Sequence, residues 1–281
     1  MSTRMALCTL MIISAVVSCN ARSLQVPDGS IRLITLSGIP VVEGVYLNGY
    51  GPYRFLLDTG AQTNQVEAAV ARKIGLVPAF QVEMATATGT THVAGGRVVK
   101  ISLGSAAASD QEILFTTLDG AHALSGDIRG VLGQEFLAHF DYLLDFARHR
   151  LVFGEAAPEG GTRVSFETID GRPAIQTSEG KLVLDSGTNS TILYRSSQSG
   201  PDGPIIHTAS GTASVSRIQN LRLRIAGHEY RSANAASIPG TLHSGDGLLP
   251  ASLFHSVFVS NSGKYAILDP SVDAGARRNT E

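Results

Sequence analysis

Cysteine is nearly missing from this chain of 281 residues: there are two, Cys8 and Cys19, both within the first 19 positions. Everything beyond them has no intrachain disulfide and no thiolate metal site, so stability must come from burial. About 250 residues remain after the leader, enough to bury a core as one large domain or two small lobes. Charge of one sign is concentrated nowhere: 22 Lys and Arg meet 24 Asp and Glu, for a net charge of −2, which argues against nucleic acid as a partner. The eight histidines, among them His92, His139, His149, His207 and His243, lack the paired spacing of a zinc site, so no metal and no cofactor is expected. A Gly-x-Ser-x-Gly elbow is also missing, which leaves a serine hydrolase with little support. Tryptophan is absent and glycine, at 30 residues, is abundant; together they suit a turn-rich β protein.

The start of the chain reads as an export signal. Arg4 supplies a positive charge, and the apolar run from Met5 to Val17 is too short to span a bilayer. Val16-Val17-Ser18-Cys19 resembles the bacterial lipobox, in which the Cys is lipidated and the signal is cut off before it. The expectation is a signal peptide over 1–18, lipid on Cys19 and a lipid-anchored linker over 19–30. Ordinary cleavage after Ala21, which would discard Cys19, is the alternative. Asn20 is not the Asp that commonly retains bacterial lipoproteins at the inner membrane, so the resemblance points to the outer membrane, facing the periplasm.

From Ile31 onward the pattern is short strands divided by glycine turns. Ile31 to Ile34, Val41 to Leu47 and Tyr53 to Leu57 read as strands, with Asn48-Gly49 as a hairpin signal. Val66 to Ile74 carries apolar residues at helical spacing, and Gly75 ends it. Strands follow at Val98 to Leu103 and Glu112 to Phe115, then a helix from Gln134 and strands around Tyr142 to Asp145 and Leu151 to Phe153. Gly154 to Gly161 reads as a linker, Ser196 to Pro204 as loop, and the alternation near Arg217 to Arg231 as a solvated strand face.

Two stretches carry the chemistry. Phe55-Leu56-Leu57-Asp58-Thr59-Gly60-Ala61 drives an apolar strand straight into a carboxylate, and Leu182-Val183-Leu184-Asp185-Ser186-Gly187-Thr188 does so again. A carboxylate ending such a run is costly unless it is hydrogen-bonded or working. Other markers repeat in the same order. Thr86-Ala87-Thr88-Gly89-Thr90 is echoed by Thr208-Ala209-Ser210-Gly211-Thr212, and Gly130-Val131-Leu132-Gly133 by Gly247-Leu248-Leu249-Pro250. Asp58 to Leu132 spans 74 residues and Asp185 to Leu249 spans 64, so the chain reads as an internal duplication. A duplicated fold would bring the two aspartates together at a pseudo-twofold axis, where they would share a proton.

The paired Asp-Thr/Ser-Gly motifs resemble the active site of aspartic proteases, pepsin-like or retropepsin-like. The resemblance implies an all-β, duplicated acid-protease fold: two retropepsin-like β-barrel lobes with short helices and a cleft between them, over 31–155 and 162–272, and a disordered tail at 273–281. It implies catalysis by Asp58 and Asp185, with Thr59 and Ser186 hydrogen-bonding across the axis and Gly60 and Gly187 allowing tight turns. Thr88, Gly89, Thr90, Ser210, Gly211 and Thr212 would be flap tips closing on substrate, and Leu132 and Leu249 would pack beneath the turns. The expected activity is a peptide-cleaving endopeptidase, monomeric, acting on polypeptides in the bacterial cell envelope. A peptide-binding lipoprotein that keeps the dyad for structure is the alternative, motivated by Pro250, which stands where the family carries glycine.

Overall fold

The computed structural model describes residues 29–86, 89–154, 156–195, 205–208, 211–238 and 244–270. The first half opens as a meander of β1 (Ser30–Leu36), β2 (Ile39–Leu47) and β3 (Tyr50–Leu57). The two turns between them, Ser37-Gly38 and Asn48-Gly49, put both central residues at positive φ, the turn geometry that matches the twist of paired strands. Next come β4 (Asn64–Glu67), α1 (Ala68–Lys73), β5 (Phe80–Thr86), β6 (Gly89–Leu103) and β7 (Ala106–Thr116). Then follow α2 (Asp119–Leu124), β8 (Ile128–Leu132), α3 (Gln134–Leu137), β9 (Tyr142–Asp145) and β10 (Arg150–Phe153).

The second half holds β11 (Thr162–Ile169), β12 (Arg172–Thr177), β13 (Gly180–Asp185) and β14 (Thr191–Tyr194). Short strands β15 (Ile205–Thr208), β16 (Gly211–Ser214), β17 (Ser216–Ile218), β18 (Leu221–Ile225), β19 (His228–Ser232) and β20 (Ala235–Ile238) come next. The half ends with β21 (Gly247–Pro250), a 3-10 turn at Ala251–Leu253, β22 (Ser256–Ser260) and β23 (Tyr265–Leu268). The chain is all-β with a few short helices, as expected.

One expected boundary moves. The helix begins at Ala68, two residues later than Val66, because Asn64 to Glu67 is claimed by two neighbours: β4 runs parallel to β7 and antiparallel to β8. Val66, fully buried, serves the sheet and not the helix. Helical spacing alone could not see partners 49 to 66 positions away, and tertiary pairing overrode it. Gly75 closes the helix at positive φ, as its position predicts. The expected loop at 196–204 and tail at 273–281 lie outside the described residues.

The two halves repeat one pairing scheme. β3 runs parallel to β8 with Leu57 opposite Leu132, and β13 runs parallel to β21 with Leu184 opposite Leu249. β4 lies antiparallel to β8 and parallel to β7, while β14 lies antiparallel to β21 and parallel to β20. A six-stranded antiparallel sheet, in the order β1, β10, β9, β22, β23, β11, then joins the halves. Its central pair, β9 and β22, is almost wholly buried, with Tyr142, Leu144, Val257 and Val259 inaccessible to solvent. Burying a large apolar side chain contributes about 1.5–3 kcal/mol, so this seam fixes the halves firmly relative to each other.

Candidate active site

Each aspartate is delivered by a buried strand that pairs with the apolar strand beneath it. Phe55, Leu56 and Leu57 are buried, and the Asp58 N–H donates to the Leu132 carbonyl at 3.0 Å, carrying the ladder one residue beyond β3. Leu182, Val183 and Leu184 are buried likewise, and Asp185 closes β13 in register with Pro250. Beyond each strand the chain turns back on its own carboxylate. Gly60 and Ala61 N–H groups both donate to Asp58 Oδ1 at 2.9 Å, and the Gly187 N–H donates to Asp185 Oδ1 at 2.7 Å.

The two turns face each other. A Cβ placed on Gly60 would lie 2.3–2.6 Å from the Asp185 carboxyl atoms, and one on Gly187 would lie 2.4–2.6 Å from those of Asp58. The two carboxyl groups thus stand close enough for each to feel the other's charge. The expected reason for these glycines therefore needs correcting. Neither has a positive φ, so conformational freedom is not what demands glycine; each is required because the opposite carboxyl group occupies the space of a side chain. Gly60→Ala and Gly187→Ala should each push the turns apart and lower any cleavage by about 100-fold or more, the usual consequence of an ångström of misplacement. Thermal unfolding measured beside the rate shows whether the fold survives.

Thr59 and Ser186 lock the turns together through four buried hydrogen bonds. Thr59 Oγ1 donates to the Leu184 carbonyl at 2.7 Å and accepts from the Ser186 N–H at 2.9 Å. Ser186 Oγ donates to the Leu57 carbonyl at 2.6 Å and accepts from the Thr59 N–H at 3.0 Å. Each hydroxyl thus spends its proton and a lone pair on the opposite backbone, the cross-axis contact that the sequence suggested.

Burial raises both carboxyl pKa values, but unequally. Asp58 is moved up by desolvation, which its interaction with the Asp185 carboxyl, the Gly60 and Ala61 N–H groups and the Arg172 charge partly offset. Asp185 is pushed well above the usual range, first by desolvation and then by the negative charge of Asp58, against one N–H donor and Arg172. Two donors favour the anion at Asp58 and one does so at Asp185. In a singly protonated pair the extra N–H donor favours the charge on Asp58 and the proton on Asp185.

Beneath the turns the halves differ, and the difference explains Pro250. In the first half the Gly133 N–H donates to Asn64 Oδ1 at 3.1 Å, and a Cβ on Gly133 would meet the Ala61 and Thr63 carbonyls at 2.8 Å. In the second half Thr191 stands where Asn64 does, and its hydroxyl bonds Ser232 at 2.8 Å instead. Donor and acceptor are missing together, so the proline leaves no partner stranded, and its φ of −64° suits the ring. The local geometry under Asp185 is intact. Sequence reasoning missed Asn64 and Gln134, whose Nε2 donates to the Thr59 carbonyl at 2.8 Å. Both sit beside the repeated markers, but only a residue-by-residue alignment of the halves would have singled them out.

Of the expected flap residues, Thr88 and Ser210 lie outside the described residues, as does Cys19. Gly89 opens β6 opposite Thr86, with exposed Thr90 opposite Ala85; Gly211 opens β16 opposite Thr208, with Thr212 opposite His207. Both stretches are hairpin strands.

Residues 43–136, about a third of the chain, match the aspartyl protease family model. Among solved structures, a retropepsin-like aspartic protease from Rickettsia conorii is similar, with 18% identity and a TM-score of 0.33 over 44% of this chain and 89% of that one. No curated protein matches the chain. The family match is confined to the first half, where it takes in Asp58 and its turn.

Proposed function

We propose that this chain is an aspartic endopeptidase in which Asp58 and Asp185 jointly activate water against a peptide bond. The observation that carries the reading is the facing pair of turns, each glycine lying against the opposite carboxyl group. Ionised Asp58 takes a proton from the attacking water while protonated Asp185 donates to the peptide carbonyl oxygen. The tetrahedral intermediate then collapses as the proton held by Asp58 passes to the leaving nitrogen and a hydroxyl proton of the intermediate returns to Asp185, with no covalent link to the enzyme. The shared-proton logic is that of the general aspartic dyad; what this chain adds is the unequal donor count that separates base from acid. Hairpins β5–β6 and β15–β16 would close over an extended polypeptide, and the repeated pairing scheme supports descent from an internal duplication into two lobes. Pro250 gives no ground for a dyad kept only for structure, because its surroundings have changed with it.

The test is incubation of the protein with a diverse peptide mixture across acidic to neutral pH, followed by sequencing of the cuts. Discrete internal cleavages support the reading, and an uncut mixture at every pH overturns it.

The place of action follows from the leader. Arg4, the short apolar run and Val16-Val17-Ser18-Cys19 support export to the bacterial envelope and a lipid on Cys19. Among the described residues no helix is long and apolar enough to cross a membrane. In cell fractionation the protein should sediment with membranes, and Cys19→Ala should release it or block its processing. A soluble protein whose N-terminus is Arg22 would show ordinary signal cleavage instead.

A further inference from the structure

The two halves present different side chains to the dyad from one equivalent position. β1 and β2 are joined by Ser37-Gly38, and β11 and β12 by Asp170-Gly171, both pairs at positive φ. The residue after the first turn is Ile39 and after the second Arg172. In the first half Val41 pairs with Leu56, and the same register continued by two steps leads from Ile39 to Asp58. In the second, Ala174 pairs with Val183, and the same continuation leads from Arg172 to Asp185.

Their surroundings differ in kind. Ile39 packs with Leu36, Ala61 and Leu124 against a buried apolar cluster around Leu118 and Val131. Arg172 is a cation with a side chain only 18% exposed. Its Nε donates to the Ile169 carbonyl at 3.2 Å and its Nη2 to Asp170 Oδ2 at 3.0 Å. Nη1 makes no hydrogen bond among the described residues, so one edge of the fork remains available. The charge of Arg172 reaches both aspartates and favours their ionised forms. Asp170, the present partner, has a side chain 49% exposed, and such ion pairs contribute little. A carboxylate brought in by a bound peptide could join or replace it.

We propose that Arg172 selects an acidic side chain on one side of the scissile bond, while the apolar wall around Ile39 takes an apolar side chain on the other. The inference rests on the peptidase reading above and names its substrate class: polypeptides with an acidic and an apolar residue flanking the cut. Planar guanidinium is suited to paired recognition of a carboxylate, and the part-buried setting strengthens the contact over one in water.

Matched peptides carrying Glu or Gln at each position around the cut test it, at a pH near 6 where Glu is ionised. Each pair is also made with a reduced, uncleavable bond so that binding is read separately. The wild type should prefer Glu by about tenfold or more in kcat/KM at one position, and by a similar factor in binding, as expected of a charge-assisted hydrogen bond. Arg172→Leu should bring the ratio to about one, Arg172→Lys should keep part of it, and Arg172→Glu should shift preference toward Lys. Peptide cleavage with no Glu preference, or a preference that survives Arg172→Leu, overturns the inference and leaves the peptidase reading standing. Reduced-bond peptides bound with the Glu preference but never cut would do the opposite.

Discussion

Asp58→Asn should lower kcat for peptide cleavage by about 10³-fold or more, and Asp185→Asn by a similar factor. General acid–base groups typically contribute 10²–10⁴-fold each, and here each variant removes a group and also its partner's charge coupling. An amide at 58 cannot accept the water's proton. An amide at 185 cannot carry the proton that the carbonyl needs, although it can still donate a hydrogen bond, so some residual rate is more expected there. Stability should move the other way. Both native carboxyls have raised pKa values, so the stability they contribute is present below the unfolded-state pKa and is lost as pH rises through the folded one. Asp185→Asn should therefore unfold at a higher temperature than the wild type at neutral pH, with the gap narrowing toward pH 4. A variant that keeps wild-type turnover removes the dyad mechanism.

Thr59→Val and Ser186→Ala should each destabilise the protein by about 2–4 kcal/mol, because each leaves a buried carbonyl and a buried N–H without partners. In a chain of this size that corresponds to a fall in melting temperature of about 5–15 °C. The double variant should cost less than the sum, since losing one hydroxyl already loosens the opposite turn that the other holds; couplings of about 0.5–3 kcal/mol are usual for such neighbours. Additive effects in calorimetry would mean that the hydroxyls act as separate bonds and not as one lock. Cleavage should fall less than in either Asp variant, because neither hydroxyl takes part in proton transfer.

Much of the site was legible because it is built from local signals. Apolar runs ending in Asp58 and Asp185 specify strands that stop at a carboxylate, and the repeated Gly130 and Gly247 segments mark the strands beneath them. The Asn48-Gly49 turn followed from two residues alone. What stayed hidden depends on partners distant in the chain. Val66 has helical spacing, yet β7 and β8 hold it in a strand. α2, at Asp119–Leu124, has one buried residue, Ala121, and so little apolar periodicity to read. The β9–β22 seam pairs Tyr142 with Val259, two runs that each look like any core strand. Pro250 was misleading for a related reason: its effect depends on Thr191, nearly 60 positions earlier, having already replaced the Asn that a glycine N–H would need. Arg172, too, is an ordinary surface-type residue in sequence; only the pairing of β12 with β13 brings its charge within reach of Asp185.

The central claim is that one proton is shared between Asp58 and Asp185, and the pH profile of kcat/KM for a cleaved peptide tests it most directly, since that parameter reports the free enzyme. The account predicts a bell. Its acid limb, where the pair loses its first proton, should lie above the ordinary Asp range, and its alkaline limb, where the last proton leaves Asp185, should lie well above the first. Asp185→Asn should erase the alkaline limb from whatever rate remains. A profile that rises through a single ionisation and then stays level, in the wild type, would contradict the shared proton and with it the account of this site.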